Sequence, residues 1–446
     1  MKRLSKFQVI LLIVFGALAV SGVLIFAFAV GGNGDNGVGP IRIWGTFDET
    51  AFNAVIKQAS ETTAGLSQVS YQQFDPATYE TELTNALASG AGPDLFIIRQ
   101  DYAIKDAGKI FPIPFSSGSQ EQFEASFIEA ANPFVSKNLQ AILAVPLLVD
   151  PLVLYWNRDL LATAGYAKPP TFWDEIVPMA TYVNDGSASV NKSSVTVRDQ
   201  TNTVKKSAVA FGEYANVNNA KDILATLILQ AGGSITAFDT SNHLVPSLSS
   251  ATGDVAQAAE SALRFYTGFA DPSKNDYSWN RSLPESRSAF AAGDLGLYIG
   301  YASEEPLIRR SNPNLNFAPV ALPQIRDGAR ALTYGHVYGF ATARAARNVN
   351  SAFVVAQLLA TTNLSQSFSI ALGIPSARRD VLSLKSTGNS DVFNRAAIIS
   401  RSWVDPDPDK TSQAFRGMIE NTTSGSVSVS EAVQRADQEI ARILGL

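Results

Sequence analysis

The chain has 446 residues, 35 Lys and Arg against 40 Asp and Glu, and 46% hydrophobic residues, which is room for two or three domains with sizeable cores. A net charge of −5 without clustered Lys or Arg argues against a nucleic-acid partner, because phosphate affinity needs basic side chains in groups. The absence of Cys excludes disulfides, thiolate zinc sites, iron–sulfur clusters and cysteine nucleophiles, and two His leave almost no material for histidine-based metal or triad chemistry.

Residues 1–6 carry Lys2, Arg3 and Lys6, and residues 7–30 follow without an ionisable side chain. A helix of that length would run about 36 Å, enough to cross a hydrocarbon core of about 30 Å. The basic flank would stay in the cytoplasm and everything after residue 30 would lie outside. Ala27-Phe28-Ala29 has the small-x-small form of a cleavage site, so a cleaved signal peptide is the alternative. The apolar run is longer than the roughly 7–15 residues of a signal core, and one uncleaved, single-pass transmembrane helix is expected. Residues 31–40, GGNGDNGVGP, form a flexible tether. The Gly32-x-Gly34-x-x-Gly37 spacing within it lacks the preceding soluble strand and following helix that a dinucleotide fingerprint needs. The first 36 residues thus divide into basic flank, anchor (about 7–30) and tether.

Residues 41–44 read as a short strand, and 51–59, with Phe52, Val55, Ile56 and Ala59 on one face, as an amphipathic helix. Residues 69–71 are a second strand, 79–88 a helix ended by Ser89-Gly90-Ala91-Gly92-Pro93, and 94–98 an apolar run of the kind buried in a parallel sheet. This alternation predicts a doubly wound α/β lobe whose ligands sit beyond the carboxyl ends of the strands. That points to Trp44–Asp48, the segment after Tyr71, and Arg99–Tyr102. Further along, 152–156, 295–299 and 316–320 read as strands, 184–206 as a surface hairpin, and 221–230, 256–269, 351–360 and 431–446 as helices. Asp94, after Gly-Pro, is expected to hold backbone donors. Asp405-Pro406-Asp407-Pro408-Asp409 spaces its carboxylates as a hard cation would want, but Lys410 and Arg416 stand where an EF-hand loop has Gly and Glu, so a solvated loop is expected.

Several of these segments resemble the extracellular solute-binding proteins of the maltose-binding type. Gly92-Pro93-Asp94-Leu95-Phe96-Ile97 is similar to that family's GPDLF-type strand. Val145-Pro146-Leu147-Leu148-Val149-Asp150, followed by Leu154-Tyr155-Trp156-Asn157-Arg158-Asp159, resembles its crossing between lobes. Residues 169–175 are similar to its PxTWDE turn, Phe290-Ala291-Ala292-Gly293 through Gly300 to its FxxGxxAM strand, and Gly373-Ile374-Pro375-Ser376-Ala377-Arg378 to its late G-x-P-x-R turn. The resemblance implies a type II periplasmic-binding-protein-like α/β fold, two doubly wound lobes that close about a hinge on a ligand. It places the amino-terminal lobe at 41–147 plus 302–338 and the carboxyl-terminal lobe at 148–301 plus 339–446. The family's usual lipid-attachment Cys is missing, which leaves residues 7–30 to serve as tether.

Clefts that take sugar-like ligands combine flat aromatic faces with planar polar groups. By the resemblance, Trp44 and Asp48 lie at a ligand-facing strand end, with a core Trp and a helix-capping Asp as the plainer roles. Asp101, beside Arg99 and Tyr102, falls where the family has a ligand carboxylate. Asp150 falls in the crossing segment at a ligand-contacting position, and Glu213 and Tyr214 in a contact loop before a helix. Trp279 and Tyr301, flanking the strand that ends at Gly300, are candidate stacking surfaces. Gly335 and His336 mark the second crossing, where glycine permits close backbone approach and the imidazole can donate.

The implied function is capture of a small solute, a sugar or oligosaccharide, by lobe closure and delivery to the permease subunits of an ABC importer. No catalysis, cofactor or metal, a monomer, and a membrane contact through the amino-terminal helix complete the expectation. An exported carbohydrate-active hydrolase and a sugar- or peptide-sensing module not coupled to transport are the alternatives.

Overall fold

The computed structural model describes residues 39–115, 120–181, 194–249, 257–328 and 330–446. The expected anchor, the glycine spacing at 32–37 and residues 184–193 of the expected hairpin lie outside these. Among the described residues no helix is long and apolar enough to cross a membrane.

The first lobe begins as the alternation predicts, with β1 (Ile41–Gly45), α1 (Glu49–Ser60), β2 (Val69–Gln73), α2 (Tyr79–Ala88) and β3 (Leu95–Arg99). The Asp48 carboxylate accepts from Ala51 N–H at 2.8 Å and so starts α1, which buries Phe52, Val55, Ile56 and Ala59. β1 lies between β2 and β3 and runs parallel to both. Asp94 holds Arg42 N–H at 3.0 Å and Arg347 N–H at 3.4 Å, so it serves backbone donors on neighbouring segments rather than in its own turn. β2 is the outer edge. There the Asn53 amide of α1 accepts from Tyr71 N–H at 3.1 Å and donates to Tyr71 C=O at 2.9 Å, while Gln73 N–H reaches Glu49 at 3.1 Å.

The other strands of the main sheet are β4 (Val145–Asn157), β5 (Val197–Arg198), β6 (Val204–Val209), β7 (Leu295–Tyr301), β8 (Phe317–Val320), β9 (Thr333–Thr342) and β10 (Ser400–Arg401). They extend one ten-stranded sheet in the order β2-β1-β3-β9-β4-β7-β6-β5, with β8 also on β4 and β10 on β9. β4 changes partners along its length. Residues 145–151 pair antiparallel with β9, and 152–157 pair antiparallel with β7 and β8. The expected crossing at 145–150 and the expected strand at 152–156 are therefore one continuous strand, buried almost throughout. β5 and β6 form the predicted hairpin around Asp199, whose carboxylate accepts from Thr201 and Thr203 N–H.

Three hydrophobic clusters show which segment belongs to which lobe. Phe52, Tyr71, Phe340 and Phe368 share one face of the β1 side of the sheet; Phe96, Phe123, Phe134 and Ala341 share the other. A larger cluster around Tyr155, Phe211, Tyr266, Phe290 and Tyr298 holds the second half of β4 with α3 (Ala220–Gln230), α4 (Ala258–Gly268) and the last two helices. The lobe boundaries read from the sequence need correction here. Residues 302–338 were expected in the first lobe, yet Ile308, Phe317, Leu322 and Tyr334 pack in the second, because β8 pairs with the second half of β4. Residues 339–382, expected in the second lobe, pack in the first. Once β9 has crossed back, α5 (Val349–Leu359) and α6 (Thr362–Leu372) cover the apolar face beside α1. α7 (Asn389–Ile398) sits at the junction, with Phe393 in one core and Ala397 in another. The chain then returns to the second lobe through α8 (Pro408–Thr423) and α9 (Val429–Leu444).

β9 keeps its place through close backbone approach. A Cβ on Gly339, beside an irregularity in the β9–β4 register, would stand 2.9 Å from Val145 C=O and 3.0 Å from the Phe134 ring. Gly339→Ala is expected to cost about 1–3 kcal/mol in denaturant unfolding. Gly108→Ala, where nothing lies within 4 Å, should leave the midpoint nearly unchanged.

Candidate ligand site between the lobes

The carboxyl end of β3 turns directly into a short helical segment, Gln100–Tyr102, and this turn supplies the first polar groups. Arg99 and Asp101 form a bidentate pair, Nε to Oδ1 at 2.7 Å and Nη2 to Oδ2 at 2.6 Å. Asp101 is buried while the Arg99 side chain is 32% exposed. Burial alone would raise the Asp101 carboxyl, but the Arg99 guanidinium and the nearby His336 bring it below the ordinary value. Gln100 reaches the other way: its Oε1 accepts from Val337 N–H at 2.6 Å, and its Nε2 lies 3.4 Å from the Tyr334 hydroxyl and 3.5 Å from His336 Nδ1.

His336 stands at the centre of this network. The Gln100 amide nitrogen faces Nδ1, and Nε2 is the ring nitrogen that faces a carboxylate. Nε2 is 3.3 Å from Asp222 Oδ2, which also accepts from the Tyr301 hydroxyl at 2.7 Å. The Tyr301 ring stacks on the imidazole at 4.7 Å, and Tyr334 meets it edge-on at 5.4 Å. Burial pushes Asp222 up, but His336, Lys221 and the Tyr301 hydroxyl outweigh it and hold the carboxyl at about 2. Next to Asp222, Lys221 Nζ bonds Asp405 at 2.7 Å and Thr411 at 2.8 Å and lies over the Trp403 ring at 5.4 Å. Burial lifts Asp405 to about 6 despite that lysine, with the charge of Asp101 adding to the rise.

Asp150 lies at the level where β4 changes partner, opposite His336 in the β9 register. Its Oδ1 accepts from Ser303 N–H at 3.0 Å. Burial, with a contribution from Glu304 and opposition from the Ser303 bonds, lifts its carboxyl to about 7. Gly335 beside it is packed so closely that a Cβ would stand 2.8 Å from Ser400 Oγ.

Of the residues singled out in the sequence, Asp101, Tyr301 and His336 come together in this one network, with Asp150 and Gly335 on the strands that support it. The others take different places. Trp279 is a core residue, 1% exposed, with its indole N–H on Asn216 Oδ1 at 3.2 Å; it offers no stacking face, because it packs inside the second-lobe cluster. Glu213 is buried and paired with Arg281 at 3.1 Å, and Tyr214 packs half-buried on the same cluster. Trp44 is half-buried against Phe74 at 4.3 Å, and Asp48 is the exposed cap of α1. The 405–409 segment is not a plain solvated loop, since Asp405 is buried on Lys221 and Asp407 caps α8. Among the described residues no three His, Asp or Glu are placed to hold a metal ion.

A site lined by paired carboxylates, an accessible guanidinium, an imidazole and tyrosines, set where strand ends of two lobes meet, is suited to holding a polyhydroxylated molecule by hydrogen bonds. Residues 48–362 match the family model of bacterial extracellular solute-binding proteins. The chain belongs to this family. Its fold is likewise that of solved binding proteins. The cyclic α-maltosyl-1,6-maltose binding protein of Arthrobacter globiformis superposes with a TM-score of 0.72 at 17% identity, covering 91% of this chain and 99% of that one. The sugar-binding protein MalE of Xanthomonas citri gives 0.69 at 16%, covering 91% and 97%. A solute-binding protein of Thermotoga lettingae, solved with α-D-tagatose, gives 0.62 at 20%, covering 91% and 100%. A binding protein of Brucella abortus strain 2308 is 22% identical over 261 residues, 57% of this chain. The match spans 55% of that curated relative's length.

For this solute-binding protein the sequence left Lys221 and Asp222 unmarked and placed Asp405 in a solvated loop, whereas Gln100 fell within the Arg99–Tyr102 segment expected at a strand end. The available signal was a Lys-Asp pair opening an otherwise apolar helix just after a strand-end loop.

Asp150 gives a pH test with a definite sign. Its folded value of about 7 lies above the unfolded value of about 3.9. The folded protein therefore keeps a proton that the unfolded chain releases, and the stability this confers is complete below pH 4 and lost as pH rises to about 7. Asp150→Asn retains an acceptor for Ser303 N–H and cannot titrate. The difference in unfolding free energy between variant and parent should move in favour of Asn from pH 4 to 7 and then stay level; a constant difference would contradict the assignment.

Proposed function

We propose that this protein is an extracytoplasmic receptor that captures a sugar or oligosaccharide by closure of its two lobes and hands it to the permease subunits of an ABC importer. The network of Arg99, Asp101, Asp222, Tyr301 and His336 carries the reading. It draws on strand ends from both sides of β4 and β9, so a solute held there touches both lobes and favours the arrangement that brings them together. The sugar-binding neighbours, similar in fold, support the ligand class. The domain acts as a monomer without cofactor or catalysis, and residues 7–30 tether it to the membrane with the binding lobes outside.

Thermal-shift screening of the protein against mono- and oligosaccharides, polyols, peptides and polyamines tests the ligand class. A saturable rise in melting temperature with sugars alone is expected, and it should be about 10- to 100-fold weaker in apparent affinity for Asp101→Asn, as befits loss of a charged hydrogen-bonding group. A response confined to peptides or polyamines would overturn the sugar assignment, and turnover of labelled oligosaccharides would overturn the receptor in favour of a hydrolase. Fractionation of cells producing the chain should place it with membranes at full length, whereas a soluble product beginning near residue 30 would show a cleaved signal peptide.

A further inference from the structure

The Asp405-Pro406-Asp407-Pro408-Asp409 segment divides its three carboxylates among three tasks. Pro406 and Pro408 restrict the backbone between them, so the side chains leave in fixed directions. Asp405 turns inward to Lys221, and Asp407 accepts from the N–H groups of Asp409 and Lys410 to cap α8. Asp409 is not needed for either purpose. Its Oδ2 instead receives Lys105 Nζ at 2.6 Å, and its Oδ1 the Tyr102 hydroxyl at 3.3 Å. Tyr102 follows directly on Asp101 and packs on the first-lobe core, whereas α8 packs in the second. The Tyr102 ring is flanked by two cations, the Arg99 guanidinium at 5.3 Å and the Lys105 ammonium at 5.0 Å from its centre. Arg99, which is the most exposed member of the ligand network among its charged pairs, is thereby linked through Tyr102 to the contact with Asp409.

We infer that Asp409, Lys105 and Tyr102 form a clasp across the mouth of the cleft, a set of positioning residues that holds the lobes together whether or not a solute is present. The consequence for binding, slower solute release, rests on the receptor reading above; the clasp itself does not. The Lys105 side chain is 26% exposed and that of Asp409 64%, so the pair is screened by salt and shifts a two-state equilibrium by no more than about five-fold. A modest shift is what a receptor needs, since a stronger contact would hold the lobes shut against entry of the solute.

The full chain in nanodiscs tests this without any ligand. It contains no Cys, so Asn85→Cys and Gln413→Cys, at exposed positions on α2 and α8, accept one spin label in each lobe. In low salt the parent should show mainly the shorter inter-label distance. Asp409→Asn and Lys105→Ala should each move population toward longer distances by up to about five-fold, and 0.5 M salt should do so in the parent but not in Asp409→Asn. The charge-reversed pair Lys105→Asp with Asp409→Lys should restore the parental distribution at low salt, which a merely structural role for either residue would not produce. Distributions indifferent to both single substitutions and to salt would overturn the clasp, as would failure of the reversed pair to restore. A failed sugar screen would leave this result untouched, so the two proposals fail separately. For any solute that raises the melting temperature, Asp409→Asn should increase its dissociation rate by up to about five-fold, and an unchanged rate would remove the link from clasp to retention.

Discussion

Strand β4 has to satisfy two sets of partners with one backbone. Its buried N–H and C=O groups have no water to turn to, so seven residues are committed to β9 and six to β7 and β8. Neither half can slip without unpairing its partners, and a slip by one residue would also turn its side chains to the opposite face. A relative rotation of the lobes that keeps both sets of bonds must be taken up where the partners change, between Pro151 and Leu152, and at the corresponding level of β9. The network proposed to hold the ligand is built at that level, from His336 on β9 and from the turn after β3, so a small rotation there alters distances between its members directly.

The charges in the network are held in compensating pairs. Arg99 matches Asp101, Lys221 matches Asp405, and Asp222 is shared by His336 and Tyr301. Such buried pairs add little to stability, because desolvation offsets most of their attraction, yet removing one partner leaves the other exposed to the full cost of burial. If the network is the solute site proposed above, their value lies in orientation: donors and acceptors are fixed in advance, so less side-chain freedom is lost on binding. Asp150 follows different logic. Among the described residues it forms no ion pair; it accepts from a main-chain amide, and its carboxyl is lifted to about 7 by burial.

The first lobe was legible because its strands and helices alternate and its helices are amphipathic, so α1, α2 and β3 lie within a residue or two of the expected spans. The second lobe was less legible in its boundaries. β4, β7 and β9 are buried on both faces, and an apolar run of this kind carries no mark of where pairing partners change. Which lobe receives residues 302–320 is decided by β8 meeting the second half of β4, a contact between segments about 160 residues apart. The same limitation explains the site. Trp279 looked like a stacking surface because large aromatics in loops often are, but its amide partner Asn216 lies 63 positions away. Asp222 lies in the first turn of the helix expected over 221–230 with nothing beside it in sequence to mark it; only the fold brings His336 to it.

The amide of Asn53 has an effect beyond its own helix. Tyr71 would otherwise present an unpaired N–H and C=O at the margin of the sheet, which is the template by which a strand from another chain is recruited. A side-chain amide offers the same donor and acceptor as a peptide unit, so Asn53 stands in for one residue of a neighbouring strand and ends the sheet with its hydrogen bonding complete there. Molecules crowded side by side thus lack an open strand margin at this position through which to polymerise, and the sheet stays finite.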